Sequence, residues 1–120
     1  MKPSFTTPLD LEYLDGRQYR LLTAFQYDAS GFTVSVPAGF VTDFASIPRP
    51  LWVLLPPTGK YGKAAVVHDY LYRTPGLVSK AIADATFLEA MGVLGVPWLT
   101  RHLLFRAVSL FGRSSYKGGL

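Results

Sequence analysis

The residues best suited to chemistry are a histidine and two aspartates in apolar segments of the second half of the sequence. His68 and Asp69 lie in the run AAVVHDYLY, and Asp84 precedes Phe87 and Met91 at helical spacing. A carboxylate on such a face needs a partner, because an unpaired buried carboxylate costs several kcal/mol or loses its charge. His68 is the natural partner of Asp84. An imidazole oriented by an aspartate is a general base, so the sequence predicts a His68–Asp84 dyad.

Three further residues complete the candidate site. Tyr72 follows His68 by one helical turn and is placed to hydrogen-bond Asp84. Asp69 is expected on the neighbouring face, available to a metal ion or a water molecule. Asp43, enclosed by apolar residues in the run VTDFASIP, is a candidate for a second metal ligand, although a turn or capping role is slightly favoured.

A structural interpretation stands beside the catalytic one. A buried His–Asp pair also braces two helices without any chemistry, and an isolated His-Asp dipeptide is common by chance. Spacing alone does not separate a dyad from a brace, so both interpretations stay open.

The elements that would position these residues follow from changes in hydrophobic periodicity. Alternating apolar residues over about 9–41, interrupted by turn signals at Asp15-Gly16 and at 28–31, predict a small antiparallel sheet of three or four strands. A proline-rich connection follows over 42–60, with one short helical turn near 51–54. The period then becomes helical, which predicts helices at about 61–73, 80–91 and 97–111, with Ser79 as an N-cap, and a loose tail at 113–120. The expected fold is α+β in a single domain, 1–120.

The third predicted helix is apolar over an unusually wide arc. A polar stripe that includes His102 and Arg106 is surrounded by leucines and aromatic residues. Such an arc indicates deep burial, a partner surface or an interfacial position on a membrane, of which burial is the simplest. His102 is expected at the surface and not as a ligand.

Composition and charge exclude several classes of protein. The 120 residues include no cysteine, which excludes disulfides, thiolate nucleophiles and cysteine metal sites. The sequence contains no run of about 18 apolar residues, so no transmembrane helix is predicted, and no signal peptide is expected. Residues 1–48 carry a net charge of −2 (3 − 5) and residues 49–120 a net charge of +6 (9 − 3). Since no two basic residues are adjacent, nucleic-acid binding is not favoured, whereas peripheral membrane contact fits the basic half.

The longest motifs resemble a known family. Residues 36–48, 59–65, 68–72 and Ala83-Asp84 are similar to a domain-of-unknown-function family, number 1353, of tailed phages and prophages, over about 11–112. The resemblance implies a phage or prophage origin. It therefore implies a protein of the host cytoplasm or of the virion, with virion or tail proteins or a cell-envelope substrate as partners.

A more distant resemblance concerns mechanism. The phrase Ala-Ala-x-x-His-Asp-x-x-Tyr, followed by Ala-Asp, is similar to the phospholipase A2 signature, although the preceding stretch 55–62 has only two glycines. The resemblance implies that His68 deprotonates water, Asp84 orients the imidazole, Tyr72 hydrogen-bonds Asp84 and Asp69 binds Ca²⁺. The leading hypothesis is thus a water-activating hydrolase of a lipid or cell-envelope ester. The rival is a non-catalytic tail, virion-assembly or host-interaction protein.

Overall fold

The computed structural model describes residues 2–16, 18–43, 62–74 and 76–111, and it confirms the α+β class. Six short strands precede three helices. The strands are β1 (Ser4–Phe5), β2 (Leu11–Asp15), β3 (Gln18–Leu21), β4 (Phe25–Ala29), β5 (Phe32–Val36) and β6 (Val41–Thr42). The helices are α1 (Gly62–Arg73), α2 (Lys80–Val93) and α3 (Trp98–Phe111).

The strands form two antiparallel sheets, where the sequence predicted one. The orders are β1-β4-β5 and β2-β3-β6. A hairpin forms at each of the two predicted turns, since β2 pairs with β3 and β4 with β5. The third strand of each sheet, β1 or β6, has only two residues. Two residues cannot display an alternating pattern, which is why periodicity identified the hairpins and not the strands that complete each sheet.

The helices lie close to their predicted positions. Ser79 has extended backbone angles, and its hydroxyl accepts a hydrogen bond from the Ile82 amide, as expected of an N-cap. Helix α2 runs two residues further than predicted, to Val93, and Leu94 is its C-cap. The predicted helical turn at 51–54, nearly all of the 42–60 connection and the tail at 113–120 lie outside the described residues.

Helix α1 is the central element of the core. Val66, Val67 and Asp69 are buried together with His68 and Leu71, so the buried surface is wider than one face of the helix. The reason is that α1 contacts α2 on one side and strands β5 and β6 on another. A helix covered from several sides loses the exposed face that amphipathic patterning assumes.

Strands and helices share one hydrophobic core. Its members include Leu21, Phe25, Tyr27, Val34 and Val36 from the sheets, with Leu71, Phe87, Met91, Val96 and Leu104 from the helical region. The Tyr27 hydroxyl donates to Glu89 at 2.6 Å and so links β4 to α2. Across the described ranges, no helix combines the length and the apolar character needed to cross a bilayer.

The end of α2 provides a stability prediction. The amide of Val96 donates to Met91 and that of Gly95 to Gly92, which is a Schellman motif with Gly95 at φ +81°. We expect Gly95→Ala to destabilise the protein by about 1–2 kcal/mol, because an L residue is strained at this φ. The control is Gly92→Ala, because Gly92 lies within helix α2. A Cβ at this position would lie 3.7 Å from the Arg101 side chain, which is an ordinary contact. Urea denaturation should show that Gly92→Ala is neutral or stabilising, and equal losses in both variants would contradict this account.

Candidate functional site

The structure brings His68 and Asp84 together at the interface of α1 and α2. Imidazole Nε2 lies 2.8 Å from Asp84 Oδ1, and both side chains are buried. Ala64, Ala65 and Ala83 are fully buried, and their small side chains are suited to a close approach of the two helices. His68 and Asp84 therefore form the predicted contact within the core.

Two more donors hold the Asp84 carboxylate. The Tyr72 hydroxyl donates to Oδ1 at 2.5 Å, and Lys80 Nζ donates to Oδ2 at 2.8 Å. We call His68, Tyr72, Lys80 and Asp84 the Asp84 cluster. Each carboxylate oxygen has at least one donor, so the negative charge is satisfied inside the protein.

The Asp84 cluster also extends to α3. Lys80 Nζ donates to the carbonyl oxygens of Val108 (3.1 Å) and Ser109 (3.0 Å), and the Tyr72 hydroxyl lies 3.3 Å from the Val108 oxygen. These carbonyls belong to the last turn of α3, where a cation complements the helix dipole. Lys80 thus joins the Asp84 charge to the C-terminal end of α3.

Burial and hydrogen bonding set the ionisation of the pair. Burial alone would raise the pKa of Asp84, but hydrogen bonds from His68, Lys80 and Tyr72 outweigh it and hold this pKa below its usual range. Burial lowers the pKa of His68 below its ordinary 6.5, against the opposing effect of Asp84. At neutral pH, Asp84 is therefore ionised and His68 is neutral.

The neutral imidazole has a defined tautomer. An ionised carboxylate only accepts hydrogen bonds, so the bond to Asp84 assigns the proton of His68 to Nε2. Nδ1 is then a lone-pair acceptor. It is buried, and no donor among the described residues lies within hydrogen-bonding distance of it. The imidazole has the protonation state of a general base.

Asp69 lies in a second group of polar residues, at the junction of α1 and β6. Its Oδ2 accepts from the Thr42 hydroxyl at 2.7 Å and from the Asp43 amide at 3.1 Å. Its Oδ1 lies 3.0 Å from Arg73 Nε. Arg73 also approaches Asp43 Oδ2 at 3.4 Å and donates to the Val41 carbonyl. We call Thr42, Asp43, Asp69 and Arg73 the Asp69 cluster.

The Asp69 cluster does not fit a calcium site. Calcium takes six to eight oxygen ligands, whereas here a guanidinium and two further donors bond to both carboxylate oxygens of Asp69. The part of the chain that the structure describes contains no group of three or more histidine and acidic residues arranged to hold a metal ion. Burial raises the pKa of Asp69 to about 6, and Asp43 adds to the shift while Thr42 and Arg73 oppose it. Arg73 therefore supplies the counter-charge of Asp69 from within the protein.

Sequence reasoning missed Lys80, Arg73 and Thr42. Two of them carried a readable signal, because Lys80 precedes Asp84 by four residues and Arg73 follows Asp69 by four, the spacing of helical ion pairs. Thr42 carried none, since its contact with Asp69 joins residues 27 positions apart. His102 is partly exposed on α3 and stacks on Trp98, in agreement with the surface position predicted for it.

These features define a small α+β protein with a buried His–Asp pair on two packed helices. The chain belongs to the family described as "Protein of unknown function (DUF1353)", whose model matches residues 19–108. The family suggested by the sequence motifs is therefore confirmed.

Comparison with curated proteins finds a bacterial relative. "Uncharacterized protein y4jT" of Sinorhizobium fredii (strain NBRC 101917 / NGR234) is 33% identical over 99 residues, covering 78% of this chain. The alignment spans 29% of that relative, so the chain corresponds to less than a third of its length. No solved structure matches the chain.

His68 and Asp69 should give opposite pH dependences of stability. Because the pKa of His68 is lowered on folding, its contribution to the unfolding free energy is full above pH 6.5 and declines as the pH falls. The pKa of Asp69 is raised from 3.8 to about 6, so its contribution is full below pH 3.8 and is lost as the pH rises to about 6. In the wild type these two effects on the unfolding free energy oppose each other between pH 3.8 and about 6.

Urea denaturation of His68→Gln and Asp69→Asn across this range separates the two effects. Relative to wild type, we expect the unfolding free energy of His68→Gln to rise as the pH falls below 6.5, by at most about 1.4 kcal/mol per pH unit. That of Asp69→Asn should fall over the same interval. Parallel pH profiles for all three proteins would contradict the ionisation states assigned here.

Proposed function

We propose that this protein is a small hydrolase in which His68 activates water for attack on an ester of a lipid or of the cell envelope. One observation carries the proposal. Asp84 fixes Nε2 of the buried imidazole, while Nδ1 is an acceptor without a donor among the described residues. A buried polar atom with no protein partner is uncommon and calls for a functional explanation. A water molecule bonded to Nδ1 is such an explanation, and that water is the nucleophile.

The chemical step follows from this geometry. Nδ1 takes a proton from water as the water oxygen adds to the ester carbonyl carbon, and the imidazolium that forms is stabilised by ionised Asp84. The tetrahedral intermediate then collapses with cleavage of the ester C–O bond. The proton on Nδ1 passes to the leaving alcohol, so the products are a carboxylic acid and an alcohol, and His68 returns to its neutral form.

The other members of the Asp84 cluster are positioning residues. Tyr72 and Lys80 bond the two oxygens of Asp84, which fixes the carboxylate plane toward Nε2. Their contribution is to keep Asp84 ionised and oriented, which favours the tautomer with a free Nδ1 lone pair.

The resemblance to tailed-phage and prophage sequences supports a biological setting for this chemistry. A phage- or prophage-encoded hydrolase, acting from the host cytoplasm or within the virion, has the bacterial envelope and its lipids as nearby ester substrates. We therefore place the proposed substrate in the envelope.

A second candidate function is favoured by the burial of the imidazole. His68 has no exposed surface, and Asp84 is bonded by three side chains from α1 and α2. A pair enclosed in this way also serves as a brace, that is, it stabilises the packing of α1 against α2 without any chemistry. In that case the protein is a non-catalytic tail, virion-assembly or host-interaction component.

The test compares the two histidines of the chain. Hydrolysis of soluble p-nitrophenyl esters and of phospholipid is measured for wild type, His68→Gln and His102→Gln. General-base catalysis contributes about 10²–10⁴-fold, so kcat/KM should fall by at least 100-fold in His68→Gln. His102→Gln should retain wild-type activity, because His102 hydrogen-bonds the Trp98 carbonyl at the protein surface.

Tyr72→Phe provides a less disruptive variant of the same cluster. It removes one hydrogen bond to Asp84 and keeps the aromatic ring, so we expect a smaller loss of kcat than in His68→Gln, with folding verified by circular dichroism. Absence of hydrolysis by the folded wild type, or full activity in His68→Gln, would exclude the general-base proposal. The brace would then be the remaining role, and mass spectrometry of purified virions would test for an assembly component.

A further inference from the structure

Helix α3 carries an exposed apolar stripe that nothing in the hydrolytic proposal requires. Leu99, Leu103, Arg106 and Leu110 follow one another at spacings of four, three and four residues, which aligns them along one side of the helix. We call these four residues the leucine stripe. Another side of α3 packs into the core through Leu104, Ala107 and Val108. The wide apolar arc of this helix therefore has one buried part and one exposed part.

The exposure of the leucine stripe is large for apolar side chains. Leu99 is 64% exposed and Leu110 is 71% exposed, and Leu103 between them is 39% exposed. Trp98, at the N-terminal end of the helix, is 62% exposed. Single exposed leucines are ordinary, but a row of three along one helix with an adjacent tryptophan forms a contact surface.

The charge around the leucine stripe selects the kind of partner. Arg106 lies within the stripe and is exposed, and it forms no ion pair with any residue that the structure describes. From residue 90 to residue 120 the sequence contains four basic residues and no acidic one. An apolar stripe that includes arginine complements a surface that is apolar in its interior and negatively charged at its boundary.

We infer that the leucine stripe of α3 is an interfacial anchor that binds the surface of an anionic lipid bilayer. Helix α3 has 14 residues, about 21 Å at 1.5 Å per residue, which suits a helix lying in the plane of the interface. Arginine fits this position because its methylene stem packs on apolar groups while the guanidinium reaches lipid phosphates. Tryptophan is typical of the same interface, and Trp98 extends the anchor toward the start of α3.

This inference does not depend on hydrolysis. Binding is measured without turnover, and the Asp84 cluster bonds to backbone carbonyls of α3 and not to the exposed leucines. If both proposals are correct, the anchor holds the protein at the surface that contains its ester substrate. His68→Gln should bind vesicles as the wild type does, so each proposal can fail separately.

The experiment is co-sedimentation of the purified full chain with vesicles of phosphatidylcholine alone or of an equimolar phosphatidylcholine–phosphatidylglycerol mixture. We expect binding to the mixed vesicles, weakened by high salt, and much less binding to the neutral ones. The double variant Leu99→Ser/Leu110→Ser should reduce the partition coefficient by at least about tenfold, because it removes two apolar anchors. Arg106→Gln should reduce binding to the anionic vesicles by about fivefold.

Leu22→Ser is the matched control. Leu22 is 55% exposed and lies in the acidic first part of the chain, so its replacement should leave vesicle binding unchanged. Absence of binding to anionic vesicles, or equal losses in the control and the double variant, would overturn the inference. If sedimentation equilibrium instead shows a dimer that the double variant dissociates, without vesicle binding, the stripe is a contact between two copies and the lipid anchor is wrong.

Discussion

The requirement to keep a carboxylate charge inside the protein determines how the three helices are arranged. Asp84 is almost fully buried, and a lone buried carboxylate is among the least favourable groups in a core. Donors from three side chains, on α1 and α2, satisfy it. Two of these donors, Tyr72 and Lys80, also lie within bonding distance of the last carbonyls of α3. Removing the carboxylate would therefore leave the buried Nε2 of His68 without its partner and would take one hydrogen bond each from Tyr72 and Lys80.

The Asp69 cluster makes the corresponding connection to the sheets. Asp69 neighbours His68 on α1 but bonds to Thr42 and Asp43, at the end of β6. Arg73 lies one turn later and supplies the compensating charge. Helix α1 thus joins the other helices through one polar cluster and the strands through another. This double role explains why its buried surface extends around the helix.

Local patterns allowed the sequence to predict much of this structure. Hairpins and helices have their own periodicities, and His68, Tyr72 and Asp84 could be placed on facing helix sides from spacing alone. The short strands β1 and β6 and the contact of Thr42 with Asp69 depend on residues far apart in the chain. The sequence predicts Asp69 on the helix face next to that of His68, available to a metal ion or a water molecule. Its position four residues before Arg73 also indicates a helical ion pair, which the structure contains.

The two buried aspartates show how the environment gives the same type of side chain different pKa values and different roles. Donors around Asp84 outweigh its burial and lower its pKa, whereas burial outweighs the donors around Asp69 and raises its pKa to about 6. Only a carboxylate that stays ionised can stabilise an imidazolium, which suits Asp84 to orient a general base. Asp69 changes its charge near the physiological range and bonds to an arginine of its own helix. The difference between the two carboxylates therefore arises from their donors, since hydrogen bonds from His68, Lys80 and Tyr72 keep the charge on Asp84.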